Sequence, residues 1–247
     1  MSAVDFRAQL YRQYVTGFKA AAPALDGAAL AGYWSWCDHK YRPLLAGLDR
    51  AGPVLELGCG AGNLLAYLRR LGFSRALGVD ISEQQVRGCR QRGVAAIVAD
   101  ALPFLAACPN TFEAIIMVDV LEHFTKDELL LLAPRLRDAL RPGGQLLVQT
   151  ANGAGLFPRQ VIYGDLTHMT ILTPESLAQL LRPFGFGQLA FYETGPVPVG
   201  LRGRRDVLLW RAVKGAAGLV RRVETGKRQA VWTENFICCA RLAPNQH

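Results

Sequence analysis

From about residue 50 onward, short apolar segments alternate with segments of helical periodicity. Segments rich in apolar and β-branched residues are typical of strands buried on both faces of a parallel sheet. The strand-like segments are Pro53–Leu57, Ala76–Val79, Ala95–Val98, Ala114–Val118 and Gln145–Gln149. The helical segments between them lie near Asn63–Leu71, Glu83–Gln91, Leu102–Ala107 and Lys126–Leu140. This alternation predicts a doubly wound sheet, because right-handed crossovers place helices on both of its faces.

The second half of the chain predicts an antiparallel edge to this sheet. Pro142-Gly143-Gly144 is expected to end the long helix before the fifth strand. Pro174–Leu181 is predicted as a helix with Thr173 as its N-cap. Gln188–Tyr192 and Phe236–Arg241 are the expected antiparallel strands. The predicted fold is therefore α/β, with a mostly parallel sheet of seven strands.

The first of these strands runs into three glycines at alternate positions, in Val54-Leu55-Glu56-Leu57-Gly58-Cys59-Gly60-Ala61-Gly62. Glycine allows a sharp turn and lets a ligand approach the backbone closely. The dinucleotide fingerprint G-x-G-x-x-G does not fit, because the third glycine comes one residue early and Asn63 takes the final position. Glu56 would repel a pyrophosphate but suits a ligand with an ammonium or sulfonium group. A glycine-rich turn of some other α/β protein is the alternative.

Carboxylates follow the next three predicted strands. Asp80 is placed to accept both ribose hydroxyls of a nucleoside, although it could instead cap the next helix beside Ser82. Asp100 could bond an adenine amino group or form a turn. Asp119 directly follows the fourth strand. Ligands of open α/β sheets bind outside these strand ends.

Glu56-Leu57-Gly58-Cys59-Gly60-Ala61-Gly62 resembles motif I, E/D-x-G-x-G-x-G, of the class I S-adenosylmethionine (SAM)-dependent methyltransferases. With the later carboxylates, the resemblance covers roughly residues 50–190. It implies a Rossmann-like fold, SAM as the cofactor and S-adenosylhomocysteine as its product. The cofactor-binding positions that it implies are Glu56, Gly58, Cys59, Gly60, Gly62, Asp80, Ile81, Asp100, Ala101 and Asp119.

The segment Asp119-Val120-Leu121-Glu122-His123-Phe124 resembles the D/E-x-L-E-H signature of small-molecule methyltransferases, including the ubiquinone-pathway O-methyltransferases. In some relatives the acidic residues and the histidine are associated with a divalent ion. Helical spacing would bring Asp119, Glu122 and His123 to one face. In many others no metal is needed, and Glu122 and His123 brace the active-site loop; we expect no metal here. An N/D-P-P-Y/F motif is lacking, which disfavours methylation of amino nitrogens in nucleic acid or protein.

A second histidine lies in Gly164-Asp165-Leu166-Thr167-His168-Met169-Thr170, ahead of Leu172-Thr173-Pro174-Glu175-Ser176-Leu177. These segments resemble the D-x-T-H and T-P-E-x-L block of small-molecule and glycan O-methyltransferases. The resemblance places His168 over the active-site mouth. An imidazole there could deprotonate an attacking hydroxyl, or it could simply bond to backbone. The candidate catalytic residues are His168, His123 and Asp119.

The amino-acid composition bears on the cellular compartment of the protein. The chain has 247 residues, 51% of them hydrophobic, and its six cysteines form no C-x-x-C pair. This pattern fits reduced thiols in a cytoplasmic protein and neither a zinc site nor a disulfide framework. Asp5 and Arg7 disfavour a secretory signal, and no run approaches a membrane span. The expected location is the cytoplasm, with peripheral contact at the inner membrane face as an open possibility.

The net charge of +8 is concentrated in one segment. Residues 201–230 hold seven arginines and two lysines against Asp206 and Glu224. Within it, residues 206–224 predict an amphipathic helix with a cationic face. That face is either solvated, or it touches a membrane surface or a lipid-linked acceptor; nucleic acid is the least favoured partner. Trp232-Thr233-Glu234-Asn235-Phe236 resembles a segment of methyltransferases of cell-surface polysaccharide synthesis, which favours a glycan hydroxyl as acceptor.

We expect one methyltransferase domain over residues 1–247. Its parts are an N-terminal helical cap at 1–50, a SAM-binding core at 51–200, the basic insertion at 201–230, and a last strand with a tail at 231–247. The aromatic residues at 33–41 suit either a helix packed on the sheet or a cover over the substrate. The predicted activity is in-line methyl transfer to a hydroxyl of a small molecule or glycan. RNA methylation and a SAM-binding regulator without activity are the alternatives.

Overall fold

A computed structural model describes residues 25–243. Residues 1–24 of the predicted cap, with Asp5 and Arg7, and residues 244–247 of the predicted tail lie outside the described residues. The strands are β1 Val54–Leu57, β2 Ala76–Asp80, β3 Ala96–Val98, β4 Phe112–Val118, β5 Leu140–Ala151, β6 Phe186–Glu193 and β7 Asn235–Leu242. They form a seven-stranded sheet in the order β3-β2-β1-β4-β5-β7-β6. Strands β1 to β5 are parallel, and β7 is antiparallel to β5 and β6, so the predicted sheet is confirmed.

The helices alternate with the strands as the sequence pattern predicts. They are α1 Gly27–Lys40, α2 Arg42–Leu45, α3 Asn63–Arg70, α4 Glu83–Gln91, α5 Ala101–Ala106, α6 Lys126–Ala139, α7 Arg159–Tyr163, α8 Pro174–Leu181 and α9 Gly200–Thr225. Short 3-10 turns occur at Leu121–His123 and Arg182–Phe184. Thr173 caps α8 as predicted, since its hydroxyl accepts the backbone N–H of Ser176 at 3.2 Å.

The core has two layers because side chains alternate along each strand. Leu55 and Leu57 of β1 pack with α5, α6 and α8 on one face of the sheet. Val54 packs with α1, α2 and α3 on the other face, around the buried Cys37 and Tyr41. The sheet is therefore covered on both sides over its central strands.

Helix α1 packs on the sheet rather than standing apart from it. Trp36 Nε1 donates to Thr194 O at 3.1 Å, and Lys40 Nζ donates to Glu193 O at 2.9 Å. Tyr67 Oη on α3 donates to Asp38 Oδ1 at 2.7 Å. These contacts support the packed-helix interpretation of the aromatic segment; its role as a substrate cover stays a prediction.

Strand β5 begins earlier than predicted. It starts at Leu140, directly after α6, and continues through Pro142-Gly143-Gly144 to Ala151. Gly143 adopts φ +75°, and the pairing with β4 shifts register between Phe112 and Ala114. The glycines therefore form an irregularity inside the strand, while the helix ends before them.

Helix α9 is longer than the predicted 206–224 segment. It extends over Gly200–Thr225 and contains no buried residue. Gly226, with φ +70°, is its C-cap. Within residues 25–243, no helix combines the length and apolar character needed to cross a bilayer.

Candidate active site

Strands β1 and β4 are neighbours in the sheet. The strand after β1 in the sequence, β2, lies on one side of this pair, and the strand after β4, β5, lies on the other. Such a switch point opens a crevice beyond the carboxyl ends of the strands. The glycine turn follows β1 here, and Asp119 follows β4. The structure therefore brings these two predicted features to the same crevice.

The three glycines of the turn all have left-handed backbone angles, with φ +68° at Gly58, +49° at Gly60 and +74° at Gly62. A side chain at Gly58 would collide with Val120, and one at Gly62 would meet Cys89 Sγ at 2.8 Å. At Gly60 the same position is open, with no atom within 4 Å. The turn thus packs tightly on two sides and leaves an open cradle at its middle glycine.

Cys59 supports this turn from beneath. Its side chain is buried with Leu65, Val86 and Cys89. Its backbone N–H, like that of Gly58, donates to Val79 O at the end of β2. Cys59 therefore fixes the shape of the turn, and its thiol faces the protein interior.

Asp80 ties the end of β2 to the glycine turn. Its Oδ2 accepts the N–H of Gly60 at 2.9 Å, and its Oδ1 accepts the N–H of Ser82 at 2.8 Å. The cap of α4 itself is the Ser82 hydroxyl. Asp80 thus holds the cradle and lies beside it, as its predicted ribose-binding role requires.

Ile81, Asp100 and Ala101 lie farther along the same sheet edge. Ile81 is 54% exposed, an apolar surface that a bound adenine could cover. Asp100 Oδ1 accepts the N–H of Leu102 at 2.9 Å and caps α5, which begins at Ala101. The turn-forming interpretation of Asp100 is therefore present in the structure, while its adenine contact stays a prediction.

Glu56 is a buried carboxyl group behind the turn, 4% exposed. Burial raises its pKa well above the usual 4.5, and the nearby Cys89 and Asp80 raise it further. Its Oε2 has no hydrogen-bond partner. A buried acceptor without a partner is costly, and a ligand ammonium would supply both a donor and a compensating charge.

Asp119 lies at the centre of a hydrogen-bond chain. Gln149 Nε2 donates to its two oxygens at 3.2 and 3.3 Å, and Asn235 Nδ2 donates to Oδ1 at 3.0 Å. Tyr41 Oη donates to Gln149 Oε1 at 2.7 Å. Burial, followed by the charge of Asp119, raises the pKa of Tyr41, so its phenol stays protonated as a donor. Side chains of β5 and β7 therefore orient this carboxylate, and Tyr41 holds one of them in place.

Asp119, Glu122 and His123 do not share a helix face, which corrects the sequence prediction. Asp119 has φ +54°, outside any helix, and only Leu121–His123 form a single 3-10 turn. Glu122 is 1% exposed and accepts the hydroxyl of Thr150 on β5 at 2.9 Å. Its backbone oxygen accepts the N–H of Met169 at 2.7 Å. The left-handed backbone at Asp119 separates this residue from any helix face. Through its two contacts, Glu122 braces the loop that carries His168.

His123 instead meets His168 and Asp165. One ligand atom from each lies within 4.8 Å of the others, and the two imidazole rings are 4.9 Å apart in an edge-to-face arrangement. His168 Nδ1 lies 3.3 Å from Ile162 O, and His123 Nδ1 lies 2.9 Å from Thr167 Oγ1. The Thr167 hydroxyl also donates to Asp165 Oδ1 at 2.6 Å. Chemically, this group can take up a proton or bind a divalent cation.

The hydrogen bonds select one tautomer for each ring. A carbonyl oxygen only accepts, so the contact to Ile162 O needs the proton of His168 on Nδ1. The Thr167 hydroxyl gives its proton to Asp165, so it accepts one from His123 Nδ1. In the neutral rings, Nε2 is then the atom that can receive a proton or a metal.

Residues 33–189 match the family of methyltransferase domains. The chain belongs to this family. A ubiquinone biosynthesis O-methyltransferase of Xanthomonas oryzae pv. oryzae is 30% identical over 185 residues, which cover 63% of this chain and 76% of that enzyme. A tRNA (carboxymethyluridine(34)-5-O)-methyltransferase of Xenopus tropicalis is 35% identical over 126 residues, 48% of this methyltransferase and only 19% of the frog protein.

The fold of the methyltransferase matches solved structures as well. A SAM-dependent methyltransferase of Archaeoglobus fulgidus superposes with a TM-score of 0.66 at 18% identity, covering 94% of this chain and 99% of that one. The class I family and the SAM cofactor that the sequence resemblance implies are thereby confirmed. The open cradle at Gly60 and the unpartnered Glu56 oxygen fit this cofactor.

Sequence reasoning missed Tyr41, Gln149, Asn235 and Asp165 as site residues. Asn235 lies in the segment Trp232–Phe236, and its contact to Asp119 joins strands far apart in sequence. Gln149 is a polar residue that directly follows the apolar run 146–148, a signal that marks it as a candidate. Asp165 belongs to the D-x-T-H block, and its proximity to His123 depends on tertiary structure.

Proposed function

We propose that this methyltransferase transfers the SAM methyl group to a hydroxyl of a small molecule or a glycan. The observation that carries the proposal is the His123–Asp165–His168 group in the loops that follow β4 and β5. Transfer to a neutral hydroxyl benefits from a base, whereas transfer to a free amine needs less help. This group supplies a base on the acceptor side of the crevice.

For the donor, we propose roles that follow the local contacts. The Glu56 carboxylate receives the ammonium of the cofactor, Asp80 receives the ribose hydroxyls, and Ile81 with Asp100 borders the adenine. Bound SAM supplies an electrophilic methyl on a sulfonium. Asp119, held by the side chains of Gln149 and Asn235, orients the region where donor and acceptor meet. Most of the rate acceleration then comes from alignment of the two reactants and exclusion of water.

For the acceptor, we propose that His168 Nε2 would remove the hydroxyl proton as the oxygen attacks the methyl carbon. The bond between that carbon and sulfur would break, and neutral S-adenosylhomocysteine would leave. The bond between His168 Nδ1 and Ile162 O keeps the ring in the tautomer that this step needs. Asp165 and His123 lie beside this ring and place a carboxylate and a second imidazole next to it. No metal takes part in this proposal.

The relatives support a hydroxyl acceptor without identifying it. The Xanthomonas enzyme is named as an O-methyltransferase of ubiquinone biosynthesis, and this chain spans three quarters of its length. RNA is the second candidate, favoured by the basic helix α9 and by the name of the frog relative. We favour a small molecule or a lipid-linked glycan of polysaccharide synthesis as the acceptor, and the cytoplasm as the place of the reaction.

Radiolabelled SAM tests the proposal. The protein is incubated with labelled SAM and separate fractions of glycan, quinone precursor and RNA. We expect label in the glycan or quinone-precursor fraction and none in RNA. Label in RNA alone would replace the proposal by the second candidate. SAM binding with no transfer to any fraction would indicate a SAM-binding protein without transferase activity.

A further inference from the structure

Helix α9 is attached to the body of the protein along one stripe. Half-buried residues recur along it every three or four positions, at Val207, Trp210, Lys214, Ala217 and Arg221. Glu193 Oε2 at the end of β6 accepts Trp210 Nε1 at 3.3 Å and Lys214 Nζ at 2.5 Å. No residue of α9 is buried, and the side of the helix away from this stripe is exposed.

The side of α9 opposite this stripe is apolar. At about 100° per residue, Leu208, Leu219 and Val223 fall within about 60° of one another and opposite Trp210. They are 64%, 64% and 80% exposed. Further exposed apolar residues widen this sector, namely Leu201, Leu209, Val213 and Val220. Water is an unfavourable partner for an apolar face of this extent on one helix.

A row of arginines borders the apolar sector. Arg204, Arg211 and Arg222 are all exposed and lie on one side, between the attached stripe and the outer apolar face. Arg202 and Arg205 fall within the apolar sector itself and add charge at the start of the helix. The outer surface of α9 therefore combines an apolar face with a cationic border.

We propose that the outer surface of α9 binds the interface of a bilayer that contains acidic phospholipids. The apolar face enters the boundary between headgroups and acyl chains, and the arginines pair with lipid phosphates. A second copy packed antiparallel on this surface would bring like arginine rows together across a two-fold axis. RNA would pair with the arginines but leave the apolar face in water. The bilayer is the partner that satisfies both features.

The loop before His168 lies next to the chain that leaves α9. Gln229 Nε2 donates to Ala154 O at 2.6 Å, and the N–H of Leu156 donates to Trp232 O at 2.9 Å. This loop carries further exposed apolar residues, with Phe157 71%, Tyr163 79% and Leu166 78% exposed. Membrane contact through α9 would therefore bring the acceptor side of the site close to lipid-borne molecules.

Vesicle co-sedimentation tests this surface on the whole protein. We expect binding to vesicles of equal parts phosphatidylcholine and phosphatidylglycerol, weaker binding at high salt, and none to phosphatidylcholine alone. Changing Arg204, Arg211 and Arg222 to Gln should lower the partition coefficient about a hundredfold. Changing Leu208, Leu219 and Val223 to Gln should lower it at least about tenfold. The matched control, Leu130→Gln with Leu131→Gln on the exposed side of α6, should bind as the wild type does.

Circular dichroism and SAM affinity, unchanged in every variant, confirm that each one is folded and that the methyl-donor site is intact. Failure to bind anionic vesicles at low salt would overturn the proposal, as would equal binding by the wild type and both α9 variants. A dimer in sedimentation equilibrium that the Leu208/Leu219/Val223 variant abolishes, without vesicle binding, would assign the face to a second copy. RNA binding without vesicle binding would likewise contradict it. The methyl-transfer assay does not enter these outcomes.

Discussion

The side-chain amide of Asn235 donates to Asp119 Oδ1 at 3.0 Å, across 116 positions of the sequence. Asn235 begins β7, the strand that runs antiparallel to β5, while Asp119 directly follows β4. The contact therefore places the antiparallel edge of the sheet in direct support of the crevice. Asp119 needs such support because its φ of +54° is unfavourable for a residue other than glycine.

Replacing Asn235 by Ala should lower kcat/KM for methyl transfer about tenfold. The substitution removes one of the two amide donors to a carboxylate, an interaction worth about 1.5 kcal/mol. Steady-state kinetics at saturating acceptor check this result. Gln188→Ala, which removes an exposed amide from β6, is the control and should leave kcat/KM unchanged. Equal rates for wild type and Asn235→Ala would show that Asp119 does not depend on β7.

Replacing Glu56 by Gln should weaken SAM binding by about 2 kcal/mol, roughly thirtyfold, because the ammonium loses its charged partner. Calorimetry measures the affinity. In the wild type, ammonium binding favours the ionised carboxyl, whose pKa burial raises in the free protein. SAM affinity should therefore increase with pH, with release of a proton, and this dependence should vanish in Glu56→Gln. Glu175→Gln, an exposed position on α8, should bind SAM normally.

Glu56 should also make the free protein less stable as pH rises. Its pKa is higher in the folded than in the unfolded protein, so the unfolded chain releases the proton first, near pH 4.5. The free energy of unfolding then decreases from about that pH toward the raised folded pKa. Glu56→Gln lacks this titration and should be more stable than the wild type at pH 7, with the difference closing toward pH 4.5. Urea unfolding across this pH range checks the sign; a constant difference would contradict it.

Replacing His168 by Ala should lower kcat at least about a hundredfold and leave SAM affinity unchanged, because the base acts only on the acceptor. Added imidazole should restore part of the lost rate. Single-turnover kinetics with equilibrium SAM binding separate these effects. His39→Ala, at an exposed histidine on α1 that bonds Ser35 O, is the matched control. Unchanged turnover in His168→Ala would remove this residue from the base role.

Treatment with a chelator should leave turnover unchanged, because we assign proton transfer to the His123–Asp165–His168 group. The assay follows activity before and after dialysis against EDTA, with metal content measured by mass spectrometry. Activity that is lost with EDTA and restored by one divalent ion per chain would contradict that assignment. Metal binding that Asp165→Asn abolishes would then identify the group as a metal site.

The sequence predicts the sheet and the donor side of the site because both depend on local signals. Alternating apolar segments specify the strands, and the run from Glu56 to Gly62 specifies the turn through the backbone angles that only glycine adopts easily. Asp80 follows β2 directly, so its place at the crevice is set by its position in the strand. These features need no knowledge of distant contacts.

The acceptor side could be predicted only in part, because it is assembled from loops distant in sequence. Helical spacing predicts that Asp119, Glu122 and His123 lie on one helix face. The backbone at Asp119 leaves the helical region, so Asp119 does not share a face with the other two residues. Tertiary folding brings His123 into contact with His168, which lies 45 positions later in the sequence. Spacing rules assume a regular element, and this segment has none.

The most direct test of the account is the chemical identity of the transferred methyl group. SAM carrying a carbon-13 methyl is turned over with the acceptor fraction that takes up label, and the product is examined by proton–carbon correlation NMR. We predict a methyl resonance in the range of methyl ethers, on a product that is not nucleic acid. A methyl resonance in the range of methylamines, or a methylated nucleoside after digestion, would contradict it.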